Sequence, residues 1–127
     1  IMRPYLLDYI KNNNQVVFQN NPQIVKENFV SVNNLEVIRE GMRETVTSPM
    51  GTAYVLSTLP FSLGGKSSSA QTSGNTKTNA LFYTFAPYNN PKISVLILIE
   101  DVPEGSLNAV PVAKDILLWY YKNRGLE

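Results

Sequence analysis

The residues best placed to do chemistry lie in "SLGGKSSSAQTSGN", Ser62 to Asn75. There Lys66 follows Gly64 and Gly65 and precedes Ser67, Ser68 and Ser69. Paired glycines let another backbone or a ligand come close to a strand. Lys66 supplies a compact positive charge, and the serines supply short hydroxyl donors. On a strand, Ser67 and Ser69 share one face and Lys66 and Ser68 the other. An ammonium beside hydroxyls and strand amides suits a small carboxylate. The same residues also describe an exposed edge strand whose lysine guards against aggregation, followed by a soluble loop. A nucleotide-phosphate loop is excluded. It needs a glycine where Pro60 stands, and a helix pattern after Lys66, which is missing.

Composition removes other chemistries. The 127 residues are 43% hydrophobic and 17% charged, with a formal net charge of +1, so nothing electrostatic points to nucleic acid or an anionic membrane. The length suits one domain with a real core. Cysteine and histidine are both missing. There is therefore no thiolate nucleophile, no cysteine-ligated zinc, and no complete Ser-His-Asp or Cys-His site. A serine activated by a lysine, or a carboxylate, remains for covalent catalysis. The longest apolar run, "ISVLILIE", is too short to span a bilayer. No leader opens the sequence, so any export signal is expected outside it.

Periodicity orders the elements around the lysine. "YLLDYI" and "QVVFQ" predict a short hairpin or two extended segments. From Asn33, Leu35, Ile38, Met42 and Val46 recur on one helix face, with Asn33 and Glu36 spaced as a capping box. Gly41 inside that helix implies a close packing contact. "TAYVLSTLPFSL" has no assignable pattern. Strands are expected over Gly64 to Gln71, Leu81 to Pro87 and Ile93 to Glu100, as an antiparallel meander. The third is apolar enough to read as a central strand covered on both faces. After the linker "DVPEGSLN", a helix is expected from Ala109 to Arg124. Pro111 falls in its first turn and Gly125 serves as its stop. Trp119, Tyr120 and Tyr121 are expected to pack on the sheet. Glu100 and Asp101 read as a solvated turn, Arg39 and Glu40 as surface or helix-packing residues, and Thr52 as backbone packing, with lining of the cleft entrance as its alternative.

The ordered set "REGM" (Arg39 to Met42), "GTA" (Gly51 to Ala53), "GKSSSAQ" (Gly65 to Gln71), "LFYTFAP", "ISVLILIE" and "VPVAK" (Val110 to Lys114) resembles the C-terminal part of the transpeptidase domain of class B penicillin-binding proteins. "RPYLLDYI" upstream fits the same family. The resemblance implies an α+β fold, with an antiparallel sheet packed by helices, as part of a penicillin-binding-protein or serine β-lactamase-like transpeptidase. It implies peptidoglycan cross-linking: a serine attacks a D-Ala-D-Ala stem, forms an acyl-enzyme, and passes the acyl group to an amine. Lys66 then corresponds to the catalytic lysine of the third motif, Gly65, Ser67, Ser68 and Ser69 to the substrate-binding strand, and the Ser69 N–H to an oxyanion-hole donor. No metal or cofactor is implied.

Two departures shape the expectation. Ser68 stands where the family has glycine. The family's nucleophile motif, Ser-x-x-Lys, is missing: Ser62 precedes Lys66 by four residues rather than three. The Ser-x-Asn pattern at Ser31, Ser73 and Ser106 never falls ahead of "RPYL", where the family carries it. Residues 1 to 127 are thus expected to be a C-terminal fragment of a transpeptidase domain, inactive alone. Its expected partners are the stem peptide, β-lactam antibiotics, the missing N-terminal part of the same protein, and a second copy through an uncovered apolar face. Its expected location is outside the cytoplasm, anchored through an upstream segment. A non-catalytic scaffold module of cell-wall assembly is the alternative.

Overall fold

A computed structural model describes residues 1–72, 74, 77–102 and 105–126. Ser73, Asn75 and part of the expected linker, Pro103 and Glu104, lie outside the described residues. The chain forms two compact units, Ile1–Leu35 and Glu36–Glu127. In the first, β1 (Tyr9–Asn12) and β2 (Gln15–Gln19) pair antiparallel. Asn13 and Asn14 join them with both φ angles positive, at 46° and 64°. Asparagine tolerates that conformation, which matches the twist of a two-residue hairpin. The hairpin alternative is the one observed, with its first strand starting at Tyr9 rather than Tyr5.

Helix α1 (Val32–Thr47) starts one residue earlier than its periodicity predicts. Its cap is Ser31, whose Oγ accepts the Asn34 N–H at 3.3 Å, rather than Asn33. Only Val46 of the expected apolar face is buried; Leu35 and Ile38 remain 44% and 55% exposed. Gly41 meets nothing within 4 Å of where a Cβ would stand, so no close contact explains it. The unassigned segment after α1 forms a short 3-10 turn, Tyr54–Thr58, with Leu56 buried.

The second unit is built on the expected meander: β3 (Gly64–Thr72), β4 (Lys77–Ala86) and β5 (Ile93–Val102), antiparallel in that order. Helix α2 (Gly105–Arg124) packs across all three strands. Small residues let it approach closely. Ala109, Val110, Ala113 and Leu117 bury against Ala80, Phe82 and Ile97 of the sheet. Because α2 starts before Ala109, Pro111 sits inside the helix, not in its first turn, and one ladder donor is missing there. Gly125 ends α2 as expected, with φ 77° and its N–H on the Tyr121 carbonyl at 3.2 Å. Of the three aromatics, Tyr120 packs on the core and Tyr121 lies 5.3 Å from the Phe61 ring, whereas Trp119 is 58% exposed.

β5 corrects the reading of a doubly covered central strand. It is an edge of this sheet, and its burial alternates. Val95, Ile97 and Ile99 face α2, while Leu96 and Leu98 are 67% and 54% exposed. An unbroken apolar run carries no period, so periodicity could not separate a buried strand from a half-exposed one.

The two glycines before Lys66 set how β3 lies on β4. A Cβ on Gly65 would stand 2.6 Å from the Phe82 ring, and one on Gly64 would stand 2.8 Å from the Phe85 ring. The close neighbours are thus cross-strand aromatic rings, one on each face, rather than a ligand. Thr84 completes the pairing by donating its buried hydroxyl to the Gly64 carbonyl at 2.9 Å. Gly65→Ala is expected to destabilise by about 1–3 kcal/mol through overpacking against Phe82. Gly41→Ala is expected to stabilise by about 0.5–1 kcal/mol, because the site is open and helical. Urea unfolding of the two variants should move the midpoint in opposite directions.

Candidate functional site

Strand alternation carries Lys66 outward. Its register partner is Tyr83 and that of Ser68 is Leu81, which puts both side chains on the sheet face away from α2. Ser67 and Ser69 pair with Phe82 and Ala80 on the other face, as expected. Lys66 is exposed, Ser67 half-buried, and Ser68 and Ser69 exposed. The Lys66 ammonium donates to the Ser67 carbonyl. β3 is the edge opposite β5, so among the described residues its outer side has no strand partner.

An open cleft of about 390 Å³ lies against this edge. Lys66, Ser67, Thr52, Gly51, Glu44 and Thr45 are among the residues that line it. Thr52 is held there by the end of α1. The Ala53 N–H reaches back to the Thr45 carbonyl at 3.0 Å. A Cβ on Gly51 would stand 2.2 Å from that same oxygen, so only glycine fits the turn. The Thr52 hydroxyl then lies 2.7 Å from the Ser67 hydroxyl. Thr52 therefore lines the cleft, the alternative to the backbone packing favoured for it from sequence. The cleft gathers Lys66 and Ser67 of the expected site, while Ser68 and Ser69 continue along β3 outside its lining. Gly65 is buried against Phe82.

A second set of contacts, which sequence reasoning left as surface or helix packing, fastens α1 to the turn after β4. The Arg39 guanidinium donates to the Tyr88 carbonyl and lies 5.0 Å from the Tyr88 ring and 5.9 Å from that of Phe85. Tyr88 donates its hydroxyl to Glu40 at 3.3 Å and its N–H to the Ser62 carbonyl at 3.0 Å. Met42, also in "REGM", stands 3.5 Å from the Cβ position of Gly64. Arg39 and Tyr88 are 49 residues apart, so no local pattern announces the contact. At the far end of the sheet, β5 runs through Glu100 and Asp101 instead of turning. Asp101 pairs with Lys77 at 2.6 Å and donates its N–H to Asn79 at 3.2 Å, across a bulge.

"REGM", "GTA" and "LFYTFAP", separate in sequence, thus meet along the strand of "GKSSSAQ". The profile of the penicillin binding protein transpeptidase domain matches residues 1–118. The chain belongs to the transpeptidase-domain family of class B penicillin-binding proteins. It is 31% identical over 104 residues to the peptidoglycan D,D-transpeptidase MrdA of Haemophilus influenzae, covering 70% of this chain. The chain spans 16% of that relative's length. Among solved structures, the D,D-transpeptidase domain of a peptidoglycan glycosyltransferase from Eggerthella lenta superposes with a TM-score of 0.81 at 26% identity. That match covers 100% of this chain and 29% of the other. Pseudomonas aeruginosa PBP2 matches 90% of this chain and 26% of its own, with a TM-score of 0.64 at 29% identity. The α+β architecture expected from the motif order is therefore the one found.

The Arg39 anchor makes its own demand on this penicillin-binding-protein scaffold. Arg39→Ala removes a hydrogen bond to a carbonyl and two cation–π contacts, and is expected to lower stability by about 1–2 kcal/mol. Tyr88→Phe, which loses only an exposed 3.3 Å contact to Glu40, is expected to change it by under about 0.5 kcal/mol. Chemical denaturation of both variants checks the order.

Proposed function

We propose that this chain supplies the lysine-bearing strand and one cleft wall of a peptidoglycan D,D-transpeptidase, whose nucleophilic serine lies outside residues 1–127. The observation that carries the reading is Lys66, exposed on a strand edge that has no strand partner among the described residues, and lining a polar cleft beside Ser67 and Thr52. An edge strand offers backbone donors and acceptors to an extended peptide, and a neighbouring ammonium selects one ending in a carboxylate. A D-Ala-D-Ala stem has that form, and a β-lactam offers a comparable carboxylate beside a reactive carbonyl.

In this reading Lys66 holds the terminal carboxylate and supports proton movement. Ser67 adds a hydroxyl in the same cleft, Ser69 follows on the face of Ser67, and Gly65 keeps the strand tight on β4. The Ser69 N–H stabilises the oxyanion as serine Oγ adds to the penultimate carbonyl. Breakdown expels D-alanine and leaves an ester, which the amine of a neighbouring stem then attacks, freeing the serine. The reaction belongs outside the cytoplasmic membrane, with the anchor carried by another segment. One observation favours a second reading, a non-catalytic scaffold of cell-wall assembly. Ser68 puts a hydroxymethyl group on the same face as Lys66, where the family has none.

Acylation of the natural gene product by a fluorescent penicillin separates the readings. The parent is expected to label covalently. Lys66→Ala is expected to label at least about tenfold more slowly, the loss of one hydrogen bond to a charged group. Labelling of folded Lys66→Ala at the parent rate would remove the lysine from the mechanism. A folded parent that does not label favours the scaffold.

A further inference from the structure

We propose that Thr52 is a positioning residue for substrate binding, acting through Ser67. This inference rests on the transpeptidase reading. The Thr52 and Ser67 hydroxyl oxygens lie 2.7 Å apart, and either atom could be the donor by distance alone. The chemistry of the cleft decides between the two arrangements. If Thr52 donates, Ser67 keeps its own O–H free to donate into the cleft. It then meets an incoming carboxylate together with the Lys66 ammonium, which lines the same space. If Ser67 donates, it presents only lone pairs, which repel a carboxylate. The donating Thr52 also polarises the Ser67 hydroxyl and strengthens its outward bond.

The backbone around Thr52 is built to hold this contact. Gly51 packs against the Thr45 carbonyl too closely for any side chain, and the Ala53 N–H is bonded to that carbonyl at 3.0 Å. Thr52 is therefore held between two residues fixed on the end of α1, while its own side chain stays exposed to the cleft. On β3, Lys66 is bracketed in the same way. Gly65 on one side is pinned by Phe82, and Ser67 on the other is tied to Thr52. The tie restrains the strand edge that β4 does not cover.

The test uses the natural gene product and fluorescent penicillin as the probe. Thr52→Val keeps the shape and removes the hydroxyl, and is expected to slow acylation about three- to tenfold. Thr52→Ser keeps the hydroxyl and is expected to restore the parent rate. The double variant Thr52→Val with Ser67→Ala should be no slower than Ser67→Ala alone, because the two residues act as one unit. A role in packing only would make the two losses add. The inference is overturned if Thr52→Val labels at the parent rate, if Thr52→Ser is as slow as Thr52→Val, or if the losses add. If Ser67→Ala does not label at all, the comparison of valine with serine at position 52 decides alone. A folded parent that fails to label overturns the transpeptidase reading and this inference with it. Thr52→Val at full rate in a parent that labels overturns this inference alone.

Discussion

Two phenylalanine rings occupy the space that two glycines leave empty, and the arrangement of the site depends on that exchange. Phe82 fills the Cβ position of Gly65 on the α2 side, and Phe85 fills that of Gly64 on the other. Since the side-chain period of a strand is two, a slip of one residue would turn Lys66 under α2 and bring Ser67 to the outer face. Any such slip would also drive the Lys66 side chain into the Phe82 ring or that of Leu63 into the Phe85 ring. The pair therefore acts as a register pin next to the lysine it orients.

From that pin the other motifs acquire physical meaning. Arg39 fastens α1 to the turn at Tyr88, and the Tyr88 N–H ties the turn to Ser62, two residues before β3. Met42 touches Gly64 from the same helix. The far end of α1 fixes Gly51 and Ala53, and Thr52 between them reaches Ser67. The contacts of Met42, Tyr88 and Thr52 end on or beside β3, each from a residue at least fifteen positions away. The helix and the turn thus serve as a two-point clamp on a strand that, among the described residues, has a strand partner on one side only.

The meander and the final helix were legible because alternation and turn residues are local signals. The division of Lys66 and Ser68 from Ser67 and Ser69 between two faces followed from the same alternation. What was not legible depended on neighbours far along the chain. "ISVLILIE" has no period to report, so its exposed Leu96 and Leu98 could not be told from its buried Ile97. Asn33 had the right chemistry for a cap, but Ser31 had the right position. Gly41 and Gly65 look alike as letters; one stands in open space and the other against a buried ring. Thr52 stood in the "GTA" motif, but nothing local announced its contact with Ser67, fifteen residues away across a turn. Within the candidate site, residue types singled out Lys66 and the serines, whereas only the fold brought Thr52 and Lys66 to one cleft.

The central claim is a division of labour: this strand binds and orients, and a serine elsewhere in the polypeptide is acylated. Locating the penicilloyl group by mass spectrometry, after digestion of the labelled natural gene product, tests it most directly. The account predicts an adduct of penicillin mass on a serine outside these 127 residues, within a Ser-x-x-Lys sequence. An adduct on Ser62, Ser67, Ser68 or Ser69 would contradict it, because the strand would then carry its own nucleophile.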